Sequence, residues 1–329
     1  MPALLTHYLC GDSMLSLVGN EHEASQISGH RSVFNLGTQG PDIFFYYGAW
    51  PWVKSNGIAG FGSRMHEEST GAFICEALKY IMKSDEASKR ILTAYMCGYL
   101  CHYVLDCHTH PYIFYKTGFV RKDEAYNAKY TYYHRSFETA LDVLMLKREF
   151  DKKPSQFNAS KQIKISAQAA AVIGGMYSEV LDIVYSADIS SRQVCQAISD
   201  MSAINAALQD KTGLKRRLIG ALESFLGKPP MFSSMILPLE IEDGLDYLNT
   251  SHSVWYLPWD DKTPMTSSFT ECFDAAAIES KKTAAAILSC INGETDPASV
   301  LPSIGNRSFS TGCDCSLNLE FKYFDCIYE

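Results

Sequence analysis

The chain has 329 residues, 47% hydrophobic and 20% charged, enough to bury a substantial core as one large domain or two ordinary ones. Its formal net charge of −8 disfavours the broad basic surface that grips a nucleic-acid backbone, although bound cations can reverse the local field and admit a phosphodiester. No apolar run approaches the ~20 residues of a membrane span, and Met1–His7 lacks the basic and apolar regions of a signal peptide. A cytoplasmic protein is therefore expected, a secreted mature form being the alternative, with most of the 11 cysteines reduced and small-apolar in role and no protein partner implied.

Residues 1–62 are rich in Gly and aromatics and show few long periodic segments, so they are expected to be irregular; they carry His7 and Asp42. Leu36-Gly-Thr-Gln-Gly-Pro41 lacks the Lys of a phosphate-binding loop, and its expected role is to turn the chain so that Asp42 faces inward. The aromatics that follow, Phe44 to Tyr47, Trp50 and Trp52, would pack this segment on the helices. A pocket wall, a stacking platform for a nucleobase and a peripheral contact with a lipid interface are the functional alternatives.

Helical periodicity begins near Arg64, with His66 at its start. Phe73, Ile74, Ala77, Leu78 and Ile81 mark one amphipathic face. A second helix starts near Glu86; its apolar residues cover more than one face, which predicts a buried central position, and Pro111 should end it. A third runs over Tyr130–Phe150, and others are expected at 159–186, 190–209, 212–226 and 268–291. Gly227-Lys-Pro-Pro230 is a clear break. Alternation through Leu317, Leu319, Phe321 and Tyr323 hints at a short strand. The expected fold is all-α, with a domain over 1–292, its chemistry within 1–150, and a C-terminal extension over 293–329.

The second helix carries His102, Asp106 and His110 at four-residue steps. Each step advances about 400°, so the three side chains share one drifting face. A His and an Asp four apart can grip one ion from one helix. The two oxygens of the carboxylate suit it to bridge two metals ~3.5–4 Å apart. His134 and Glu138 form a second pair at the same spacing on the third helix, and imidazole plus carboxylate is the donor mixture of hydrolytic zinc. His108 is rotated away from this face, and His22, His30 and His252 lie outside the pattern. Cys313-Asp-Cys315 has the wrong spacing for a zinc knuckle. An HD-type phosphohydrolase would need an adjacent His-Asp pair, and the chain has none.

In this order, His7, Asp42, His66, His102-x3-Asp106-x3-His110 and His134-x3-Glu138 resemble the zinc-dependent phospholipase C family, which shares its fold with S1/P1-type nucleases. The resemblance covers roughly residues 1–150. It implies an all-α fold with a cluster of two or three zinc ions that cleaves phosphodiesters by a metal-activated water. By position, His66, His102 and Asp106 would hold one zinc, and His110, His134 and Glu138 a second. His7 with the bridging Asp106 would serve a third. Asp42 matches the acidic residue beside the first zinc and its water, as ligand or general base. One departure concerns the third ion. Family members that are secreted offer an N-terminal Trp, whereas here a free Pro2 amine, exposed by loss of Met1, is the candidate. The expected substrate is a phosphodiester, with phospholipid first and a single-stranded nucleic acid or 3′-nucleotide as the alternative. A non-catalytic metal-binding or membrane-associated module is the reading from a different class.

Overall fold

The computed structural model describes residues 4–18, 21–50, 53, 57–120, 129–241 and 244–329; Pro2, Trp52 and the side chain of His22 lie outside them. In chain order the helices are α1 (Leu4–Leu17), α2 (Glu21–Ser28), α3 (Arg31–Gly37), α4 (Gly60–Glu67), α5 (Thr70–Lys83) and α6 (Glu86–Thr117). After them come α7 (Lys129–Phe150), α8 (Ala159–Gln162), α9 (Ala167–Tyr185), α10 (Ser191–Leu208), α11 (Leu214–Phe225), α12 (Phe269–Ile291) and α13 (Pro297–Ile304). A two-stranded antiparallel hairpin, β1 (Trp255–Leu257) and β2 (Asp260–Met265), is the one sheet among the described residues. The fold is all-α, as expected.

Helix α6 is the axis. Asp85 caps its start by accepting from the backbone N–H groups of Ala87 and Ser88. From Ile91 to Ile113 nearly every residue is buried, because α1, α3, α7, α9 and α12 pack around it. Two glycines let α3 come close: a Cβ on Gly98 would lie 2.2 Å from the Phe34 carbonyl oxygen, and one on Gly37 would lie 2.2 Å from that of Tyr95. Helix α12 is started by a capping box between Ser268 and Glu271 and lays Phe273, Ala276, Ala277 and Ala284 into the core.

Three expectations need correction. Residues 1–62 are not irregular, since α1, α2 and α3 fill much of that span and His7 sits on α1. The helical pattern was hidden because α1 is buried on more than one side, from Leu4 through Gly11. Pro111 does not end α6, which continues to Thr117. Proline withdraws the donor that the Cys107 carbonyl would use, and there Gly312 comes so near that a Cβ would lie 2.4 Å from the Cys107 oxygen. Leu317–Tyr323 forms no strand: Lys322 and Tyr323 both donate to the Pro258 carbonyl, and Phe321 stacks on Trp259.

Candidate metal centre

Every residue singled out as a ligand converges on one region between α1, α4, α6 and α7. Asp142 on α7 fixes α1 by accepting from the Leu5 and Thr6 N–H groups, at 3.1 and 2.7 Å, and from the Thr6 hydroxyl, which sets the height of His7. Gly40 has φ +49° and opens the 3-10 turn that delivers Asp42; a Cβ there would lie 2.5 Å from the His102 ring. The expected turning role of this loop therefore has a definite contact behind it. His66 stands at the end of α4, a separate short helix, instead of at the start of the helix that holds Phe73.

Asp106 is the hub. Its Oδ1 lies 3.3 Å from His7 Nε2, and its Oδ2 lies 3.1 Å from His102 Nε2, 3.6 Å from His110 Nδ1 and 3.7 Å from His66 Nε2. Asp42 Oδ1 is 3.2 Å from His66 Nε2. Glu138 Oε1 is 3.1 Å from His134 Nε2 and 3.7 Å from His110 Nε2. Three groups result, each able to hold a metal: Asp42, His66 and His102; His7, His102 and Asp106; His110, His134 and Glu138. His102 faces two of them. The expected trio His66, His102 and Asp106 is thus spread over the first two groups, with Asp42 nearer to His66 than Asp106 is.

The donor atoms fit metal better than they fit one another. Both Asp42 oxygens, Asp106 Oδ2, Glu138 Oε2 and His102 Nε2 are buried without a hydrogen-bond partner among the described residues, despite neighbours near 3 Å. Buried polar atoms are seldom left this way, and each such orphan costs about 1–3 kcal/mol. Atoms ~2.0–2.1 Å from a tetrahedral zinc stand ~3.3 Å from each other, and the distances between donors here run from 3.1 to 3.7 Å.

The surrounding backbone sets the tautomers. Nδ1 of His66, His102 and His110 each faces a carbonyl oxygen, of Gly62 at 2.6 Å, Thr38 at 3.1 Å and Phe309 at 3.1 Å. A carbonyl only accepts, so Nδ1 carries the proton and the Nε2 lone pair points into the cluster. These three carbonyls are parts of the site that the sequence does not disclose. Phe309 also packs on His66, His102 and Tyr103, and its N–H donates to the His66 carbonyl. The C-terminal segment is therefore built into the centre.

Charge follows the same design. Burial, then the His102 charge, push the His7 pKa down to about 4, which leaves its ring neutral. Burial works against ionisation of Asp106, yet His110, His102 and His7 hold its carboxyl well below the usual range. Glu138 is likewise lowered against burial, by His134 and His110. Burial alone would lower His110, but Asp106 and Glu138 raise it to about 9. The cluster is a set of ionised carboxylates beside imidazoles that must give up protons to a cation.

The residues set aside stay outside the site. His108 turns to Glu279 at 2.7 Å and His252 is exposed. His30, Cys313 and Cys315 join none of the three groups. The aromatic segment divides: Phe44 and Tyr46 are buried, Phe45 stacks on His66, and Trp50 donates to Asp200. Phe45 and Trp50 also border a cavity of ≈ 670 Å³ beside the cluster, reached by Arg135, the neighbour of His134.

Compared with known families, residues 6–186 match the model of the zinc dependent phospholipase C family, which is more than half of the chain. The chain belongs to that family. No curated protein and no solved structure matches it.

Proposed function

We propose that this family member hydrolyses phosphodiester bonds by phospholipase C chemistry, with two or three zinc ions held by His7, Asp42, His66, His102, Asp106, His110, His134 and Glu138. The observation that carries the reading is the set of buried, unpartnered donor atoms on Asp42, His102, Asp106 and Glu138, spread over three donor groups that each gather imidazole and carboxylate. Zinc bound there would lower the pKa of a water toward neutrality and offset charge on the phosphate oxygens.

The chain's own groups divide the remaining work. Asp106 would bridge two ions, since its Oδ1 faces His7 in one donor group while its Oδ2 lies 3.7 Å from His66 Nε2 in the next. Asp42 would orient the attacking water and take its proton, because neither of its oxygens has a hydrogen-bond partner. Asp42 also borders the cluster from the side of Phe45, which stacks on His66. Arg135 Nε is buried without a hydrogen-bond partner among the described residues, in a mainly apolar cavity walled by Phe45, Trp50, Ile204, Met231 and Phe232, with Ser63 and Thr131 as its other polar residues. One cation in an apolar cleft suits a phosphate carrying apolar chains better than a polyanionic strand, which favours a phospholipid over single-stranded nucleic acid.

The deciding assay offers zinc-loaded protein phosphatidylcholine in mixed micelles and, separately, single-stranded RNA. Diacylglycerol release that a chelator and His134→Ala both abolish is the expected result. Mononucleotide release alone would assign the nuclease reading, and turnover of neither by protein with stoichiometric zinc would leave a non-catalytic metal module.

A further inference from the structure

Helix α11 wears its apolar face outward. Leu214, Leu218 and Leu222 are each more than half exposed and Phe225 is 86% exposed. Steps of four, four and three residues place them on one stripe. What α11 buries is polar: Glu223 accepts from the Phe232 N–H and the Ser233 hydroxyl, and Arg216 donates to the Ile236 carbonyl.

Charge around the stripe is one-sided. Residues 209–232 hold five cations, Lys211, Lys215, Arg216, Arg217 and Lys228, against two acids, in a chain of net charge −8. Both acids are occupied inward, Asp210 by the backbone N–H groups of Thr212, Gly213 and Arg216, and Glu223 as above. Lys211, Arg217 and Lys228 are exposed and form no ion pair among the described residues. Lys215 and Arg217 flank the apolar stripe on opposite sides, about 100° from Leu214 and Leu218 respectively.

The stripe leads toward the metal centre. Beyond α11 the chain turns at Gly227–Pro230, and Met231 and Phe232, each about half exposed, line the ≈ 670 Å³ cavity. Its inner wall includes Phe45, which stacks on His66 at 5.7 Å, and Arg135. Lys215 donates to the Ala207 and Gln209 carbonyls, so Arg217 is the free cation at the stripe's edge, with Lys211 and Lys228 beyond its two ends; an exposed apolar stripe bordered by such cations is the pattern of a helix that lies in a lipid–water interface.

We propose that α11 and the Met231–Phe232 turn dock the protein on an anionic lipid surface, with the stripe sunk among the acyl chains and Arg217, Lys211 and Lys228 over the headgroups. Docked this way, the cavity mouth faces the lipid and a phosphodiester headgroup reaches the cluster without crossing bulk water. The docking itself is independent of the hydrolase reading; only its purpose rests on that reading.

The test is co-sedimentation of the full chain, stripped of metal by a chelator so that no lipid is consumed, with phosphatidylcholine vesicles with and without phosphatidylserine. Binding about tenfold or more tighter with phosphatidylserine, and weakened by salt, is the expected result for the unaltered protein. Leu218→Glu/Phe225→Glu should weaken binding about tenfold or more, and Arg217→Glu/Lys228→Glu should remove the phosphatidylserine preference, with circular dichroism unchanged in both. No vesicle binding by the unaltered chain would overturn the proposal, as would binding that neither variant alters. A dimer in sedimentation that Leu218→Glu/Phe225→Glu dissolves, without vesicle binding, would assign the stripe to self-association instead. Failure of the hydrolase reading would look different: vesicles bound, and no diacylglycerol released on restoring zinc.

Discussion

Replacing Glu279 by Gln tests how the C-terminal segment is held against the metal centre. Glu279 on α12 accepts from His108 Nε2 on α6 at 2.7 Å and from Arg307 Nη2 at 2.6 Å, and Arg307 lies two residues before Phe309. The hydrogen bond from His108, then Arg307, hold the carboxyl at about 2 against the opposing effect of burial, where an unperturbed Glu titrates near 4.5. Taken in full, that depression corresponds to ~3.4 kcal/mol. The side chain is 31% exposed, so solvent screening reduces the expectation to about 1.5–2 kcal/mol. Because the folded-state pKa lies below the unfolded one, the contribution is complete above about pH 4.5 and disappears as pH falls through about 2. Urea unfolding of Glu279→Gln beside the unaltered chain should therefore show a gap of about 1.5–2 kcal/mol at pH 7 that shrinks to less than half at pH 3. Loosening Arg307 also frees the Phe309 carbonyl from His110, and loss of such an outer partner weakens zinc binding about tenfold, the low end of the range for such contacts. A gap of equal size at both pH values, or none at pH 7, would refute the reasoning.

Asp106→Asn removes the one carboxylate of the His7, His102 and Asp106 group, so bound zinc should fall by at least one ion per chain while the His110, His134 and Glu138 group keeps its own; metal content by mass spectrometry reads this, and an undiminished count would contradict a ligand role for Asp106. Zinc affinity should rise with pH up to about 9, because the His110 proton must leave before the ring can bind, which weakens binding about tenfold per pH unit below that value for the one proton released. Competition against a chelator between pH 6.5 and 9 checks this, and a flat profile would contradict it.

The parts of the molecule legible in the sequence are those where side chains alone carry the pattern. His102, Asp106, His110, His134 and Glu138 could be placed on shared helix faces because four-residue spacing survives any packing. The helix expected at 268–291 agrees within a residue because it buries one face and starts at a Ser268–Glu271 capping box. Helix α1 did not, since burial on several sides erases the period that betrays a helix. The three carbonyls that set the imidazole tautomers were out of reach for another reason. Gly62, Thr38 and Phe309 act through backbone atoms, which leave no trace in residue type, and Phe309 lies 199 residues from the histidine it orients. Only the fold brings it there, through Tyr103, whose hydroxyl accepts from the Arg307 N–H and donates to the Ile304 carbonyl.

The same orphaned atoms that argue for zinc make a demand on the metal-free protein. Asp42, Asp106 and Glu138 are all nearly fully buried, with imidazole nitrogens as their nearest polar neighbours. Ionised carboxylates are retained in such surroundings only beside compensating charge. The imidazoles supply part of it by holding protons, as the raised pKa values of His102 and His110 show. That compensation is incomplete, because His7 is pushed toward neutrality in the same cluster. Zinc resolves the conflict, so binding must favour the folded chain strongly. A single ion at a free concentration a hundredfold above its Kd adds ~2.7 kcal/mol, worth about 4 °C in Tm for a chain of this size. Thermal unfolding in excess chelator should fall by at least that much relative to zinc-loaded protein, and by more if two ions leave. Identical unfolding in chelator and in zinc would mean that the carboxylates are satisfied by the imidazoles alone and that the convergence of donors has no metal to explain it.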